Sequence, residues 1–369
     1  MPEVWRVVPL SDATPPAPTT EARARRWWRD LLERWRGAVG EVDDPTPSDE
    51  DLDALGEAWL ARLQPRPPVA AQRAAVVAWR EARRHGLLLR PDDGSWDAAL
   101  DDPGGDAPRV VEPPAAASLG MGLPREVVAL LEDDDGLHLA RLERWWVRHH
   151  DGLDALRELL GRLGARRGPW SADVAPSAWA WLRRTFPEAR GLPAPSRPAP
   201  LDGPALHAWF GTDPALRLRG SGEPPGERTF HALAARANGE AGVAAAIWAL
   251  AMRDGHERGA DTEGADASED GDARVWLRDP ATVDLPGAAS LPREDVLLLH
   301  AVLLHGVAGP EVLGAALGVT AREAGVTMRV LEGQDLLTRS TGDRVRVAPA
   351  ALPSVWSRFD AESIAGVRG

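Results

Sequence analysis

The sequence contains no cysteine, no tyrosine and no lysine, so all 43 of its Lys-plus-Arg residues are arginine. Without Cys there are no disulfides, no thiolate metal sites and no Cys nucleophile. Without Lys there is no Schiff-base chemistry, no Lys general base and no phosphate-loop lysine. What chemistry remains must come from Ser, Thr, His, Asp, Glu, Arg or the backbone. Long hydrophobic runs are missing as well. The longest, Ala241 to Met252, is about half the roughly 20 residues that span a bilayer, so no transmembrane segment is expected. The N-terminus shows no apolar segment after basic residues, which predicts a cytoplasmic protein.

What is present is globular in composition: 369 residues, 44% hydrophobic and 27% charged, enough for two or three domains. The formal charge of -13 is local. Asp254 to Asp272 holds 8 acids against one Arg, and Asp92 to Asp106 holds 6 acids and no base. These stretches contribute -7 and -6, so the remainder is close to neutral. Both are expected to be solvated, disordered loops.

Periodicity gives a mostly α chain with a small α/β core. Helices are expected over 20–62, from Ala71 to about Arg84, from Ala140 to Leu163 with a break near Gly152, from Ser177 to Phe186, and throughout 205–258. Short strands are expected at Val4 to Leu10, Leu87 to Leu89, Val110-Val111 and Trp170 to Val174. Val127 to Leu131 is apolar and ends in acids; it fits either strand or helix. Residues 187–204 are dense in Pro and read as a boundary. The C-terminal part is the clearest. Helices are expected at Pro292 to His305, Pro310 to Leu317 and Ala321 to Glu332, the last capped by Thr320. A hairpin with its tip at Thr341-Gly342-Asp343 should follow, returning over Val345 to Val347. Helix, helix, turn, helix, hairpin is the order of a winged helix.

Few residues carry chemistry. The segment Gln64 to Trp79 leads through a helix to a strand, as a phosphate loop region would, yet has neither Gly nor Lys. Arg66 and Arg73 are its cations. Asp133 and Asp134 follow the apolar run at 127–131, as magnesium-holding acids follow a strand in many NTPases, although a simple loop is the plainer reading. His138, His149 and His150 lie near them. Adjacent histidines diverge by about 100° on a helix, which argues against a metal centre. No Gly-x-Ser-x-Gly elbow is present. No catalytic residue, metal or cofactor is therefore assigned.

The 16 Trp stand beside only 4 Phe. Trp27, Trp28 and Trp35 lie among six arginines from Arg23 to Arg36. They read as core, as anchors for a protein partner, or as an anionic-membrane contact. In the winged helix, Arg322 and Arg329 on the third helix and Arg344 and Arg346 on the wing are the DNA-contact candidates. Residues 287–369 hold 8 Arg against 9 acids, which lacks a basic footprint and favours protein contact.

The order of pieces resembles a bacterial AAA+/STAND-type ATPase. DGLHLARLERWWVRHHDGLDALRELL looks like the helix after the second acidic motif. WSADVAPSAWAWL looks like the sensor strand and helix. LDGPALHAWF and Asn238 to Met252 look like the helical lid. The resemblance implies a degenerate member that has lost its P-loop: an N-terminal tail with Trp/Arg helices (1–62), a degenerate NTPase-like core (63–195), a helical lid (196–258), an acidic loop (259–274) and a winged-helix domain (275–369). Arg66, Arg73, Asp133 and Asp134 would be remnants. The function so implied is a pseudo-ATPase, regulatory or scaffolding, that pairs with a protein partner such as an active relative. The alternatives are a winged-helix DNA-binding regulator and a nucleotide-binding switch with a non-standard phosphate site.

Overall fold

A computed structural model describes residues 5–16, 68–101, 109–114, 122–147, 150–211, 213, 216–219, 221–257, 275–362 and 364. In chain order the elements are β1 (Val7–Pro9), α1 (Val69–Glu81), β2 (His85–Leu89), α2 (Asp97–Asp101), β3 (Arg109–Val111), α3 (Arg125–Glu132), β4 (Leu137–Leu139), α4 (His150–Ala165), β5 (Trp170–Val174), α5 (Pro176–Thr185), α6 (Pro187–Arg190) and β6 (Ser196–Pro198). Then come α7 (Gly203–Phe210), β7 (Leu216–Leu218), α8 (Glu227–Arg236), α9 (Ala241–Glu257), β8 (Val275–Leu277), α10 (Arg293–His305), α11 (Pro310–Leu317), α12 (Ala321–Gly333), β9 (Leu337–Arg339), β10 (Val345–Val347) and α13 (Leu352–Ala361).

The chain packs as two compact units. Among the described residues, the first holds 5–13, 68–199 and 285–364, and the second holds 14–16 and 200–284. The first unit carries a six-stranded sheet in the order β1-β6-β2-β5-β4-β3. β6, β2, β5, β4 and β3 run parallel, and β1 closes the β6 edge antiparallel. The chain is mostly helical, and its first unit holds a mixed, mainly parallel sheet, an α/β arrangement.

Strand alternation decides which side chains meet which layer. Leu87, Leu89, Leu137, Leu139, Trp170, Ala172 and Val174 share one face and join the main core. There they meet Val127 and Leu131 of α3, Leu156, Leu159, Leu160 and Leu163 of α4, and Trp179, Trp181 and Leu182 of α5. Trp145 and Trp146 complete it, both at most 1% exposed. Each buried indole removes about 150–250 Å² from water, an upper estimate of roughly 4–6 kcal/mol. Among the described residues, these tryptophans are therefore core. Trp27, Trp28, Trp35, Arg66 and His149 lie outside the described residues, as do 20–62 and 259–274.

The structure decides one open reading and corrects others. Val127 to Leu131 is helix α3, because its apolar residues are packed at 127 and 131, four apart. The helix expected from Ala140 begins only at His150 and runs unbroken through Gly152; ahead of it lie strand Leu137–Leu139 and a single 3-10 turn, Leu142–Arg144. The Pro-dense stretch 187–204 holds the division between the two units, between Ala199 and Pro200, and also an unexpected strand: Ser196–Pro198 pairs with β1 and β2. Residues 205–258 are not all helical, because β7 pairs in parallel with β8.

The C-terminal elements follow the expected order of three helices, a turn and a hairpin. α10 is buried from Leu298 through His305, and Leu304 joins the main core. α12 starts with a capping box, in which Thr320 accepts from the Glu323 N–H and the Glu323 side chain accepts from Thr320. β9 and β10 pair antiparallel, with Val345 opposite Arg339.

In the second unit, α7, α8 and α9 pack around Phe230, which stacks on Trp248 at 5.5 Å while Phe210 meets Trp248 edge-on at 4.9 Å. Asn238 and Gly239 make the left-handed turn between α8 and α9, with φ of 54° and 74°.

Candidate functional site

From β2 the chain crosses to β3, works back through β4 to β5, and then passes β2 to reach β6. The direction reverses between β2 and β5. In open α/β sheets that reversal opens a crevice at the carboxyl ends of the strands, where ligands bind. Here those ends are Leu89 and Val174, and the loop that leaves β2 is Arg90 to Trp96.

The crevice is filled by the protein's own charges. Arg90 follows β2 and is buried, and Asp173 of β5 is fully buried. Arg90 Nε donates to Asp173 Oδ1 at 2.6 Å. Its Nη1 donates to Asp97 Oδ1 at 2.9 Å, and Nη1 and Nη2 both reach Asp101 Oδ1 at 3.2 Å. The main-chain N–H of Arg141 donates to Asp173 Oδ2 at 3.2 Å, while its guanidinium binds Asp101. Arg346, from β10, donates to Asp97 Oδ2 at 2.7 Å. Glu143 is buried beside them and accepts from the Ala175 N–H at 3.0 Å.

The electrostatics follow from that packing. Burial alone would raise Asp173, but Arg90 and the His138 hydrogen bond outweigh it and hold the carboxyl well below the usual range. Burial would lower Arg90, but Asp173 and Asp97 outweigh it and raise its pKa. Asp97 is lowered in the same way: Arg90, Arg346 and Arg141 overcome its burial. Glu143 goes the other way, because burial and then Asp173 raise it more than Arg90 lowers it. His138 is lowered by burial, with Asp173 opposing, and is therefore neutral near pH 7. Its Nδ1 meets the Ser171 hydroxyl at 2.9 Å. Its Nε2 lies 3.2 Å from Asp173 and 3.1 Å from Arg80, so it either donates to the first or accepts from the second.

Gly94 sits in the middle of this loop with φ +72°, and a Cβ there would overlap the Arg346 guanidinium. Set against Gly-x-x-x-x-Gly-Lys-[Ser/Thr], the stretch Leu89 to Trp96 keeps only that second glycine. Leu89 replaces the first glycine, Ser95 the lysine and Trp96 the Ser/Thr, while Asp92 and Asp93 bring acids where phosphates would lie. These residues do not fit a nucleoside triphosphate: every guanidinium at the crevice is already bound to a carboxylate, and the glycine's open space holds Arg346.

The expected site residues fall elsewhere. Arg73 is on α1, ahead of β2, so Gln64 to Trp79 is not the loop at the switch point. Asp133 and Asp134 close α3 and precede β4, at the amino end of the strands, where Gly168 packs against the Asp134 backbone. They cannot reach the crevice. Arg346, expected as a DNA contact, turns inward onto Asp97; Arg322, Arg329 and Arg344 are exposed. The acids of 92–106 are not all solvated, since Asp97 and Asp101 are held by arginines. Sequence reasoning missed Arg90, Asp97, Arg141, Glu143 and Asp173. One signal was present: a lone charge within or directly after a run of buried strand residues, as in LLLR and WSADV.

No family model matches the chain, and no curated protein matches it. Among solved structures it is similar to a mutant of RuvB from Thermotoga maritima, at 14% identity and a TM-score of 0.30, covering 82% of this chain and 97% of that one. It is also similar to Cdc6p from Pyrobaculum aerophilum, at 14% identity and a TM-score of 0.25, covering 88% and 97%. Among the described residues no helix is long and apolar enough to cross a membrane.

Proposed function

We propose that this chain is a non-catalytic regulatory or scaffold protein descended from an AAA+/STAND-type ATPase. It acts through protein–protein contacts, and an active relative is the natural partner. The observation that carries this reading is the closed crevice. Where such a sheet would hold nucleotide, Arg90 is committed to Asp173 and Asp97, and Arg346 fills the space beside Gly94. Phosphate capture needs uncommitted donors and a close backbone approach, and neither is offered. The C-terminal helices and hairpin, read as a winged helix, supply the contact surface. Val319, Val326 and Val330 are 44%, 48% and 50% exposed there, beside Arg322 and Arg329. Apolar and arginine side chains together suit a protein face better than a DNA groove.

Calorimetric titration of the full chain with ATP and magnesium, then ADP, tests the central step. The expected result is no saturable heat with either nucleotide. Clear binding would overturn it and make the chain a nucleotide-sensing switch. A salt-dependent shift on duplex DNA, abolished by Arg322→Ala with Arg329→Ala, would instead carry the regulator reading.

A further inference from the structure

A second cavity, of about 220 Å³, lies in the first unit, walled by the segment after β3, the turn after β4, the end of α10 and the start of α11. Arg144 and Arg344 both line it, with Glu112, Trp146, His305 and Gly309. The two arginines come from the turn after β4 and from the residue before β10, so only the packed unit brings them together. They differ from the arginines of the crevice. Arg90, Arg141 and Arg346 are each bound to carboxylates. Among the described residues, neither Arg144 nor Arg344 is in an ion pair, and Glu112 is the exposed carboxylate in the wall. The Arg144 pKa is lowered to about 10, first by burial and then by Arg141, with Glu143 opposing and Arg344 adding to the lowering. Two like charges thus line one space whose wall also holds the Glu112 carboxylate.

We propose that this cavity binds a small oxyanion, inorganic phosphate or a phosphomonoester, held between Arg144 and Arg344. Guanidinium groups suit the chemistry, because each offers paired N–H donors that match phosphate oxygens. Gly309, the N-cap of α11, lies in the same wall, but the carboxylates of Glu311 and Asp343 lie close to it, so the two arginines and not this helix start carry the site. The size sets the class. Drug-sized ligands occupy about 300–1,000 Å³, and this cavity is smaller. The site is separate from the crevice between β2 and β5, so the chain can lack nucleotide binding and still bind phosphate.

The test uses the full chain at constant ionic strength, with inorganic phosphate and glycerol 3-phosphate as probes, read by calorimetry and by the rise in Tm. Saturable binding is expected, weakened about tenfold or more by Arg144→Gln and by Arg344→Gln. Arg293→Gln, on the exposed start of α10, should leave it unchanged. Arg344 is exposed, so its variant keeps the test open even if Arg144→Gln does not fold. Binding of the ester alone would support the proposal and place a metabolite's organic part in the cavity; binding of both probes would support a free-anion source. No saturable binding of either probe, or equal binding by both arginine variants, overturns it. So does displacement of phosphate by duplex DNA with loss only on Arg344→Gln, because the cation would then serve a nucleic-acid backbone.

Discussion

Arg90 and Asp173 show how a buried charge survives. Taking either ion out of water costs several kcal/mol, and the pair recovers this only through close geometry and extra hydrogen bonds. Asp173 has them from Arg90, the Arg141 N–H and His138. Arg90→Met should therefore cost about 3–5 kcal/mol in urea unfolding, because Asp173 would be left buried without its main partner. Asp173→Asn should cost less, since Arg90 keeps Asp97 and Asp101. A double variant, Arg90→Met with Asp173→Leu, should lose less than the sum of the two single changes. Additive losses would mean that the pair is not coupled. The pH dependence has two opposed parts. Asp173 is depressed, so its stabilisation is present above the unfolded value of about 3.9 and is lost as the pH falls through the folded one. Glu143 is raised, so its contribution is full below about 4.3 and lost as the pH rises through its folded value. Glu143→Gln should thus be neutral or stabilising at pH 7. A large loss of stability there would show that ionised Glu143 is a needed partner of Arg90.

At the scale of the element, the sequence was most legible where local rules act alone. The helix at Pro310–Leu317, the Thr320 cap and the strands at 170–174 and 345–347 came from spacing, capping and turn residues, and each appears in the structure. Thr320→Ala should cost about 1 kcal/mol by thermal or urea unfolding, the usual worth of an N-cap. What spacing could not give was long-range pairing. β4 and β6 have three residues each and hold their place through neighbours distant in sequence, so neither shows a period of its own. The crevice was hidden for the same reason. Its acids lie at 97, 101 and 173, and its arginines at 90, 141 and 346. Composition saw only an acidic loop. Gly94 shows the cost of reading a motif without its fold, since its role depends on β10, far along the chain. Gly94→Ala should destabilise by about 1 kcal/mol from the left-handed backbone, and more from the clash with Arg346. Adding Arg346→Ala should relieve part of that loss. Equal losses with and without Arg346 would show that the guanidinium is not the obstacle.

At the scale of the molecule, the same contacts decide what can fold alone. The sheet and the C-terminal helices belong to one compact unit although about 85 residues separate their segments. Leu304 of α10 lies in the core with Trp146 and Trp181, and Trp146 stacks on Trp181 at 6.0 Å with His305 at 6.2 Å. Arg346 of β10 neutralises Asp97 in the crevice. A chain ending before Leu285 would expose the apolar surface that α10 covers and leave Asp97 with fewer cations. It should therefore lose the near-ultraviolet dichroism of its tryptophans and unfold at lower denaturant than the full chain. A truncated chain with full tryptophan dichroism and an unchanged midpoint would mean that the sheet carries its own core. Arg90 and Arg141 would still be held by Asp173, Asp97 and Asp101, so nucleotide binding should stay absent even without Arg346. The same calorimetric titration with ATP and magnesium, repeated on the truncated chain, reads that outcome directly.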